Sequence, residues 1–195
     1  LGLPCMYLFE PFMSAILNHF DVALRENAST RVFMDHAFNR RLEAMRYTLG
    51  HDDGIGKQDL EQADVVLLGA SRVTKTPTCM FLAQRGIKAA NVSLVNGMPL
   101  PDAVINAKKP LKVGLTVAPR QLAGIRSKRF EVPQEKGGTP YSDIDAVAEE
   151  VREIRRMIVR RGWPVIDVTT RSIDQTAAMI MELLQQHRDS ARPGE

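Results

Sequence analysis

The chain has 195 residues, of which 44% are hydrophobic and 25% are charged, and its formal net charge is +3. This is the composition of an ordinary globular protein, and the chain is long enough to bury a core without disulfide staples. The excess of 26 basic over 23 acidic residues is small, and no dense basic tract with interleaved aromatic residues occurs. The pattern argues against nucleic acid as a partner and fits a small anionic ligand such as a phosphate.

The cysteines and the apolar segments indicate the cellular compartment of the protein. Cys5 and Cys79 are far apart and lack the spacing of a metal site, so we expect a reducing compartment, the cytoplasm. No apolar run is long enough to cross a bilayer, so no membrane partner is predicted.

The beginning of the chain favours helix. Apolar residues recur at helical spacing within residues 1–33, for example at Leu17, Phe20 and Leu24, and a second helix is predicted over 36–49. Because the sequence starts with leucine and not methionine, we expect that its true N-terminus is missing.

From residue 64 the pattern changes to short apolar strands that alternate with helices, which predicts an α/β fold. The expected strands cover 64–68, 90–95, 112–117 and 164–168, and the expected helices cover 77–84, 119–129, 143–161 and 172–188. This alternation is typical of a largely parallel sheet with flanking helices.

Two domains are predicted, with the boundary near residue 60. Residues 1–60 are interpreted as the remnant of a helix-rich N-terminal domain, and residues 61–195 as a P-loop-like α/β nucleotide-binding domain. Helix boundaries are predicted from N-caps, a capping box and glycine stops, at Thr76, Ser142, Ser172–Gln175, Gly86 and Gly162.

The stretch GASRVTKTP, residues 69–77, has the outline of a phosphate-binding loop. It follows a predicted buried strand and leads into a helix with Pro77 in its first turn. Thr74 stands where the pattern G-x-x-x-x-G-K-[ST] has its second glycine. Lys75 would supply a positive charge and Thr76 a hydroxyl group for Mg²⁺, while free backbone N–H groups at the helix start favour an anion. The alternative is a polar turn whose Arg72 and Lys75 are solvated.

Other polar stretches allow both a functional and a structural interpretation. HDDG, residues 51–54, holds two carboxylates and an imidazole that would suit a general base or a metal–phosphate ligand. The same four residues are also a common way to end a helix. Arg40 and Arg41 would reach a phosphate or form a solvated helix face, and Asp167 is expected inside a strand, either hydrogen-bonded or near Mg²⁺.

A second anion site is considered around the third predicted strand. Thr116 stands at its C-terminal end, the edge of the sheet at which α/β proteins bind ligands. Arg126 and Arg129 share a face of the following helix and would clamp a phosphate. The alternative, equally favoured by the sequence, is structural: Thr116 is a hydroxyl group at a strand end, and Arg126 and Arg129 form a solvated basic face of the helix.

Taken together, several stretches resemble the pyruvate, phosphate dikinase regulatory protein family. They are RRLEAMRYTLGHDDG (40–54), ADVVLLGASRVTKTPTCMFLAQRGIKAANVSLVNGMPLP (63–101), KVGLTVAPRQLAGIRSKR (112–129) and YSDIDAVAEEVREIRRMIVRRGWPVIDVTTRSIDQTAAMI (141–180). The family's loop usually reads G-V-S-R-T-S-K-T, so the second glycine is also missing there. Family members carry a further N-terminal segment, which agrees with a missing N-terminus.

The resemblance implies a bifunctional enzyme. One activity is a serine/threonine kinase that takes its phosphoryl group from ADP, and the other is a phosphorylase that removes the same phosphate with inorganic phosphate and releases pyrophosphate. ADP binding is carried over to Gly69, Ala70, Ser71, Arg72, Val73, Thr74, Lys75 and Thr76. As a hypothesis, Lys75 neutralises charge, Asp53 or Asp52 accepts the threonine proton, and Thr116 with Arg126 shapes the site of inorganic phosphate. Mg²⁺ is expected near Thr76, but no metal ligand set is assigned.

The partner implied by the resemblance is pyruvate, phosphate dikinase, which would be phosphorylated on a threonine, and a homodimer is also implied. RGIKAANVSLVNGMPLP (85–101) favours this branch over the sister branch that regulates phosphoenolpyruvate synthase. The alternatives are the same chemistry on phosphoenolpyruvate synthase, a non-catalytic nucleotide-sensing fragment, or a P-loop ATPase or small-molecule kinase.

Overall fold

The computed structural model describes residues 36–52, 57–129 and 141–191. The chain divides into two compact units, Leu1–His36 and Ala37–Glu195, and the elements below belong to the second unit except for His36. The predicted helical segment over residues 1–33 lies outside the described residues. The domain boundary near residue 60 therefore stays a prediction.

The described elements alternate along the chain as the sequence predicts. They are α1 (His36–Gly50), a 3₁₀ turn (Lys57–Gln62), β1 (Val65–Gly69), α2 (Lys75–Ala83), β2 (Ala89–Ser93), α3 (Asp102–Asn106), β3 (Leu111–Thr116), α4 (Pro119–Arg129), α5 (Ile144–Arg160), β4 (Val165–Asp167) and α6 (Ile173–Ala191). Only the 3₁₀ turn and the five-residue α3 have no counterpart among the predicted elements, because segments this short carry no periodic signal.

The four strands form one parallel sheet in the order β2-β1-β3-β4. β1 lies in the interior of the sheet, and its residues Val65–Leu68 have no exposed surface. Among the helices, α2 packs on α6 and α4 packs on α5. The predicted fold, a parallel sheet with flanking helices, is thus confirmed, and strands buried by helices on both faces explain the unbroken apolar run of β1.

The strand order creates a switch point between β1 and β3. The chain leaves β1 toward β2 on one side, and β3 then pairs with β1 on the other side. Connections that depart in opposite directions leave a crevice at the carboxyl ends of these two strands, and ligands of α/β proteins bind in such crevices. Gly69 and Thr116, at the ends of β1 and β3, flank this crevice.

Most predicted helix boundaries are observed. The amide of Gln175 is 3.4 Å from Ser172 Oγ and the amide of Ser172 is 3.1 Å from Gln175 Oε1, which is the reciprocal pattern of a capping box. Gly86 and Gly162, after α2 and α5, have φ angles of 78° and 72°. Their left-handed backbone is the usual way in which a glycine ends a helix.

The predicted N-caps Ser142 and Thr76 are wrong, as is the strand-interior position of Asp167. Asp143 caps α5, because its carboxylate accepts hydrogen bonds from two backbone amides of the first turn. The N-cap of α2 is Thr74, whose side chain makes no capping hydrogen bond. Asp167 is the last residue of β4 and its side chain is exposed.

Candidate functional site

The loop between β1 and α2 contains unusual backbone conformations. Gly69 has a φ angle of 155°, and a Cβ atom placed there would lie 2.5 Å from the carbonyl oxygen of Leu115 on β3. Arg72 and Thr74 have φ angles of 75° and 61°, which are uncommon for residues with side chains. Thr74 therefore adopts the left-handed conformation that favours glycine, at the position where the phosphate-loop pattern has its second glycine. Such strain costs about 1–3 kcal/mol per residue and is concentrated at functional sites.

Lys75 is the first residue of α2, and its side chain folds back across the loop. Its Nζ donates a hydrogen bond of 2.6 Å to the carbonyl oxygen of Ala70, and only 4% of the residue is exposed. A buried ammonium group is costly unless polar groups surround it. The loop thus holds a positive charge next to the strained backbone.

The side chain of Thr76, one residue further, joins a three-residue hydrogen-bond network. Its hydroxyl group donates to Asp52 Oδ1 at 2.9 Å, and Asn91 Nδ2 donates both to Asp52 Oδ1 at 2.6 Å and to Thr76 Oγ1 at 3.0 Å. Thr76 lies in α2 and Asn91 in β2, whereas Asp52 lies in the turn that follows α1. The network therefore places Asp52, one of the two carboxylates that the sequence analysis assigns to the site, beside the 69–76 loop.

His51 is fixed in one orientation. Its ring stacks on Tyr47 with a centroid separation of 3.9 Å, and Nδ1 lies 2.8 Å from the carbonyl oxygen of Tyr47. Because a carbonyl only accepts hydrogen bonds, Nδ1 carries a hydrogen atom. The carbonyl oxygen of His51 accepts a hydrogen bond from the amide of Asn91, so the end of α1 is tied to β2. Of the two predicted proton acceptors, Asp52 is described and Asp53 lies outside the described residues.

Arg126 on α4 holds the loop from the other side. Its buried guanidinium group forms a two-point contact with the carboxylate of Glu150, at 2.6 Å and 3.0 Å, and it donates to the carbonyl oxygens of Ser71 and Tyr141. It also lies 4.1 Å from the centroid of the Tyr141 ring. With these contacts Arg126 acts as a tether between the loop and α5.

Thr116 lies in a separate cleft of about 350 Å³ between the end of the sheet and α5. Arg126 does not line this cleft, whereas Arg155 does, together with Asp167. Hydrogen bonds from the hydroxyl and the amide of Thr169 hold the pKa of the Asp167 carboxyl group below its usual value. The structure thus does not bring Thr116 and Arg126 together in one cleft. The side chain of Arg129 lies outside the described residues.

The cleft at the loop has a volume of about 270 Å³ and is lined mainly by the predicted loop residues. The lining consists of Ser71, Arg72, Thr74, Lys75, Thr76, Pro77, Asn91, Ser93 and Ile125. Gly69, Ala70 and Val73 do not line it, and both Ala70 and Val73 are buried. Sequence reasoning missed Asn91, Ser93 and Ile125. Asn91 had a detectable signal, because an amide side chain in the middle of a buried strand requires polar partners.

The residues around Thr76 suit a hard divalent cation. Mg²⁺ prefers oxygen ligands and is usually held by one or two carboxylates together with substrate phosphates and water. The hydroxyl group of Thr76 and the carboxylate of Asp52 provide such oxygens, 2.9 Å apart. Within residues 36–52, 57–129 and 141–191 no group of three or more His, Cys, Asp or Glu side chains is arranged to hold a metal ion without such a substrate.

The fold and the site define a class, that of parallel α/β proteins with a strained, lysine-containing loop at the switch point of the sheet. The model of the kinase/pyrophosphorylase family matches residues 1–181. The chain belongs to this family.

Similar proteins are found in bacteria. The chain is 44% identical over 186 residues to a protein of Paramagnetospirillum magneticum, and this alignment covers 95% of the chain and 60% of the relative. It is 44% identical over 184 residues to a Rhodospirillum rubrum protein, with 94% of the chain and 67% of the relative covered. It is 45% identical over 188 residues to a Caulobacter vibrioides protein, with 94% of the chain and 58% of the relative covered. All three bear the name pyruvate, phosphate dikinase regulatory protein. The matched part of the chain spans between 58% and 67% of the length of these relatives. Across the described part of the chain, no helix is long and apolar enough to cross a membrane.

Proposed function

We propose that this protein regulates pyruvate, phosphate dikinase by ADP-dependent phosphorylation of a threonine, which inactivates the dikinase, and by phosphate-dependent removal of the same group, which restores it. The names of the relatives and the description of the family support this proposal. The observation that carries it is the loop at the switch point, where Lys75 and Thr76 open α2 beside two strained residues. This is the arrangement by which strand–loop–helix units hold phosphates.

In the kinase direction, the threonine oxygen of the dikinase attacks the β-phosphorus of ADP. The bond from that phosphorus to the bridging oxygen breaks, AMP leaves, and the threonine proton passes to the carboxylate of Asp53 or Asp52. Lys75 and the amides of the loop neutralise charge on the transferred group, and positioning with charge stabilisation supplies most of the rate. Bound Mg²⁺ would neutralise phosphate charge near Thr76.

In the phosphorylase direction, an oxygen of inorganic phosphate attacks the phosphorus of phosphothreonine. The bond from phosphorus to the threonine oxygen breaks, pyrophosphate leaves, and the threonine oxygen takes up a proton. Thr116 would orient the attacking phosphate by a hydrogen bond from its hydroxyl group. The cations that line the cleft of Thr116 are Arg152 and Arg155, whereas Arg126 is paired with Glu150.

The first experiment incubates the protein with purified pyruvate, phosphate dikinase and, separately, with phosphoenolpyruvate synthase, each with Mg²⁺ and ADP or ATP. Mass spectrometry then maps phosphothreonine. We expect the label on pyruvate, phosphate dikinase with ADP only. Label on phosphoenolpyruvate synthase alone would move the proposal to the sister branch. Label on neither, with ADP still bound, would overturn the kinase assignment and favour a nucleotide-sensing role.

A further inference from the structure

The chain that follows β2 forms a tight turn at residues 95–98. The amide of Met98 donates a hydrogen bond of 3.2 Å to the carbonyl oxygen of Val95, and Gly97 has a φ angle of 78°. The side chains of Val95 and Met98 belong to residues that are each 61% exposed. Because the first and fourth residues of a β-turn lie within about 7 Å of each other, the turn presents two neighbouring apolar side chains to solvent.

The turn is anchored on both sides. Leu94, which precedes it, is 4% exposed, and its amide donates a hydrogen bond of 2.9 Å to the carbonyl oxygen of Gly69 at the end of β1. Leu100, which follows it, is 7% exposed and belongs to the core. The exposure of Val95 and Met98 is therefore a property of a turn that the core holds in place.

The turn lies beside the cleft at the loop. Ser93, the last residue of β2 and the register partner of Gly69, lines this cleft, and Val95 follows two residues later. From the other side of β1, Ile125 of α4 also lines the cleft and is 39% exposed. Apolar side chains from two parts of the fold thus border a cleft whose lining is mainly polar. We call Val95, Met98 and Ile125 the apolar rim.

The position of the apolar rim indicates what covers it. Single exposed apolar side chains are common on protein surfaces and need no partner. The rim, however, borders a cleft of about 270 Å³. A threonine of another protein reaches this cleft only when that protein covers the surface around it. The centre of a protein–protein interface is apolar and enriched in methionine, whose unbranched side chain adapts to a partner.

We propose that the apolar rim is the docking surface for the protein substrate, and that it binds an apolar segment of the dikinase next to the target threonine. The inference rests on the proposed function, because a free metabolite would need no such surface. Val95 and Met98 supply binding energy and take no part in the transfer of the phosphoryl group. Since the same protein docks in the kinase and the phosphorylase direction, both activities depend on the turn.

The competing explanation is that the apolar rim holds the adenine base of ADP. The two explanations differ in the substrate whose KM responds to a change in the turn. A contact with the base would affect the KM for ADP in the kinase direction only, because the phosphorylase direction uses no nucleotide. Docking of the protein substrate affects the KM for the dikinase in both directions and leaves the KM for ADP unchanged.

The chain offers a matched control with the same two residue types. Val159 of α5 is 55% exposed and Met179 of α6 is 37% exposed, and neither lines the cleft at the loop. The variant Val159→Ser/Met179→Ser therefore removes apolar surface elsewhere on the molecule. A conservative variant, Val95→Ile/Met98→Leu, keeps the turn apolar. Ile125 is left unchanged because it lines the cleft itself.

The experiment measures the steady-state phosphorylation of purified pyruvate, phosphate dikinase with ADP and Mg²⁺. It also measures the phosphate-dependent dephosphorylation of dikinase that the wild type has phosphorylated beforehand. We expect Val95→Ser/Met98→Ser to lower kcat/KM for the dikinase about tenfold in both directions, which corresponds to about 1.4 kcal/mol. The KM values for ADP and for inorganic phosphate should not change. The conservative variant and the control should behave as the wild type, and thermal unfolding of all variants should be similar because the substituted residues are exposed.

Each other outcome would overturn a different statement. An unchanged kcat/KM for the dikinase in Val95→Ser/Met98→Ser would overturn the docking surface and leave the proposed function standing. A raised KM for ADP with normal phosphorylase kinetics would assign the apolar rim to the nucleotide base instead. An equal loss in Val159→Ser/Met179→Ser would show that the turn has no special role. If the wild type phosphorylates no dikinase, the proposed function and this inference fail together.

Discussion

The two ends of the sheet each carry a cleft, and the larger one is not the better candidate. At the amino ends of the strands a cleft of about 450 Å³ is lined by five basic residues and two acidic ones, Arg40, Arg41, Arg85, Lys88, Arg188, Glu43 and Asp64. Two of its cations are used in ion pairs, Lys88 with Glu43 at 2.5 Å and Arg188 with Asp64 at 2.6 Å. The cleft at the loop is smaller, about 270 Å³.

The backbone and the burial of charge distinguish the two ends. At the amino end, Gly86 has a left-handed backbone, which a glycine adopts without strain. At the carboxyl end, Arg72 and Thr74 are left-handed despite their side chains, and the ammonium group of Lys75 is buried. Strain and buried polar groups are typical of functional sites, and on this ground the smaller cleft at the loop is the preferred candidate.

The largest expected effect concerns the tether of the loop. Arg126→Met leaves the carboxylate of Glu150, 18% exposed, without its partner, so we expect unfolding to become easier by about 3–5 kcal/mol. The additional change Glu150→Leu removes the orphaned charge and should recover most of this loss. The free energy of unfolding of both variants is measured by urea denaturation. A loss under 1 kcal/mol in Arg126→Met would show that the loop is held by other contacts.

Lys75→Ala tests the charge inside the loop. Since this ammonium group is proposed to stabilise the transferred phosphoryl group, we expect kinase activity to fall by about 10²–10³-fold. The fold should remain, as judged by circular dichroism and thermal unfolding. The matched control is Lys88→Ala at the opposite end of the sheet. Normal kinase activity of Lys75→Ala would contradict the assignment of the loop as the phosphate-binding site.

Gly69→Ala tests the close approach of β1 and β3. The added methyl group would lie 2.5 Å from the carbonyl oxygen of Leu115, on a backbone that disfavours side chains. We therefore expect the free energy of unfolding to fall by about 3 kcal/mol. Gly124, inside α4, has nothing within 4 Å of its hypothetical Cβ atom. Gly124→Ala should therefore stabilise by about 0.5–1 kcal/mol. The free energies of unfolding are measured by chemical denaturation. If both substitutions changed stability in the same direction, the result would contradict the geometry of the loop.

The smallest effects are expected at the amino end of the sheet. The ion pair between Lys88 and Glu43 is partly exposed, and Arg188 is about half exposed. Lys88→Met and Arg188→Met should each lower the free energy of unfolding by less than about 1 kcal/mol, and by less at high salt, which screens exposed ion pairs. Both variants should keep full kinase activity. If either variant abolished the phosphorylation of the dikinase, the amino end would have to be included in the functional surface.

The regular part of the fold was predictable because its signals are local. Apolar runs locate β1 and β3, and the capping box of Ser172 and Gln175 marks the start of α6 within one residue. The 69–76 loop was predictable for the same reason, because its residue types follow one another in a short stretch. The N-cap of α2 was misassigned, because nothing in the sequence shows that Thr74 accepts a left-handed backbone.

By itself, then, the sequence determined the alternation of strands and helices, the position of the loop and the resemblance to a family, all of which depend on neighbouring residues or on ordered motifs. Tertiary structure alone decided which distant side chains meet. It paired Arg126 with Glu150, 24 residues away, and it joined Asp52, Thr76 and Asn91 from three separate segments. The physical reason is that strand order and register set such contacts, and no local pattern encodes the strand order of a parallel sheet.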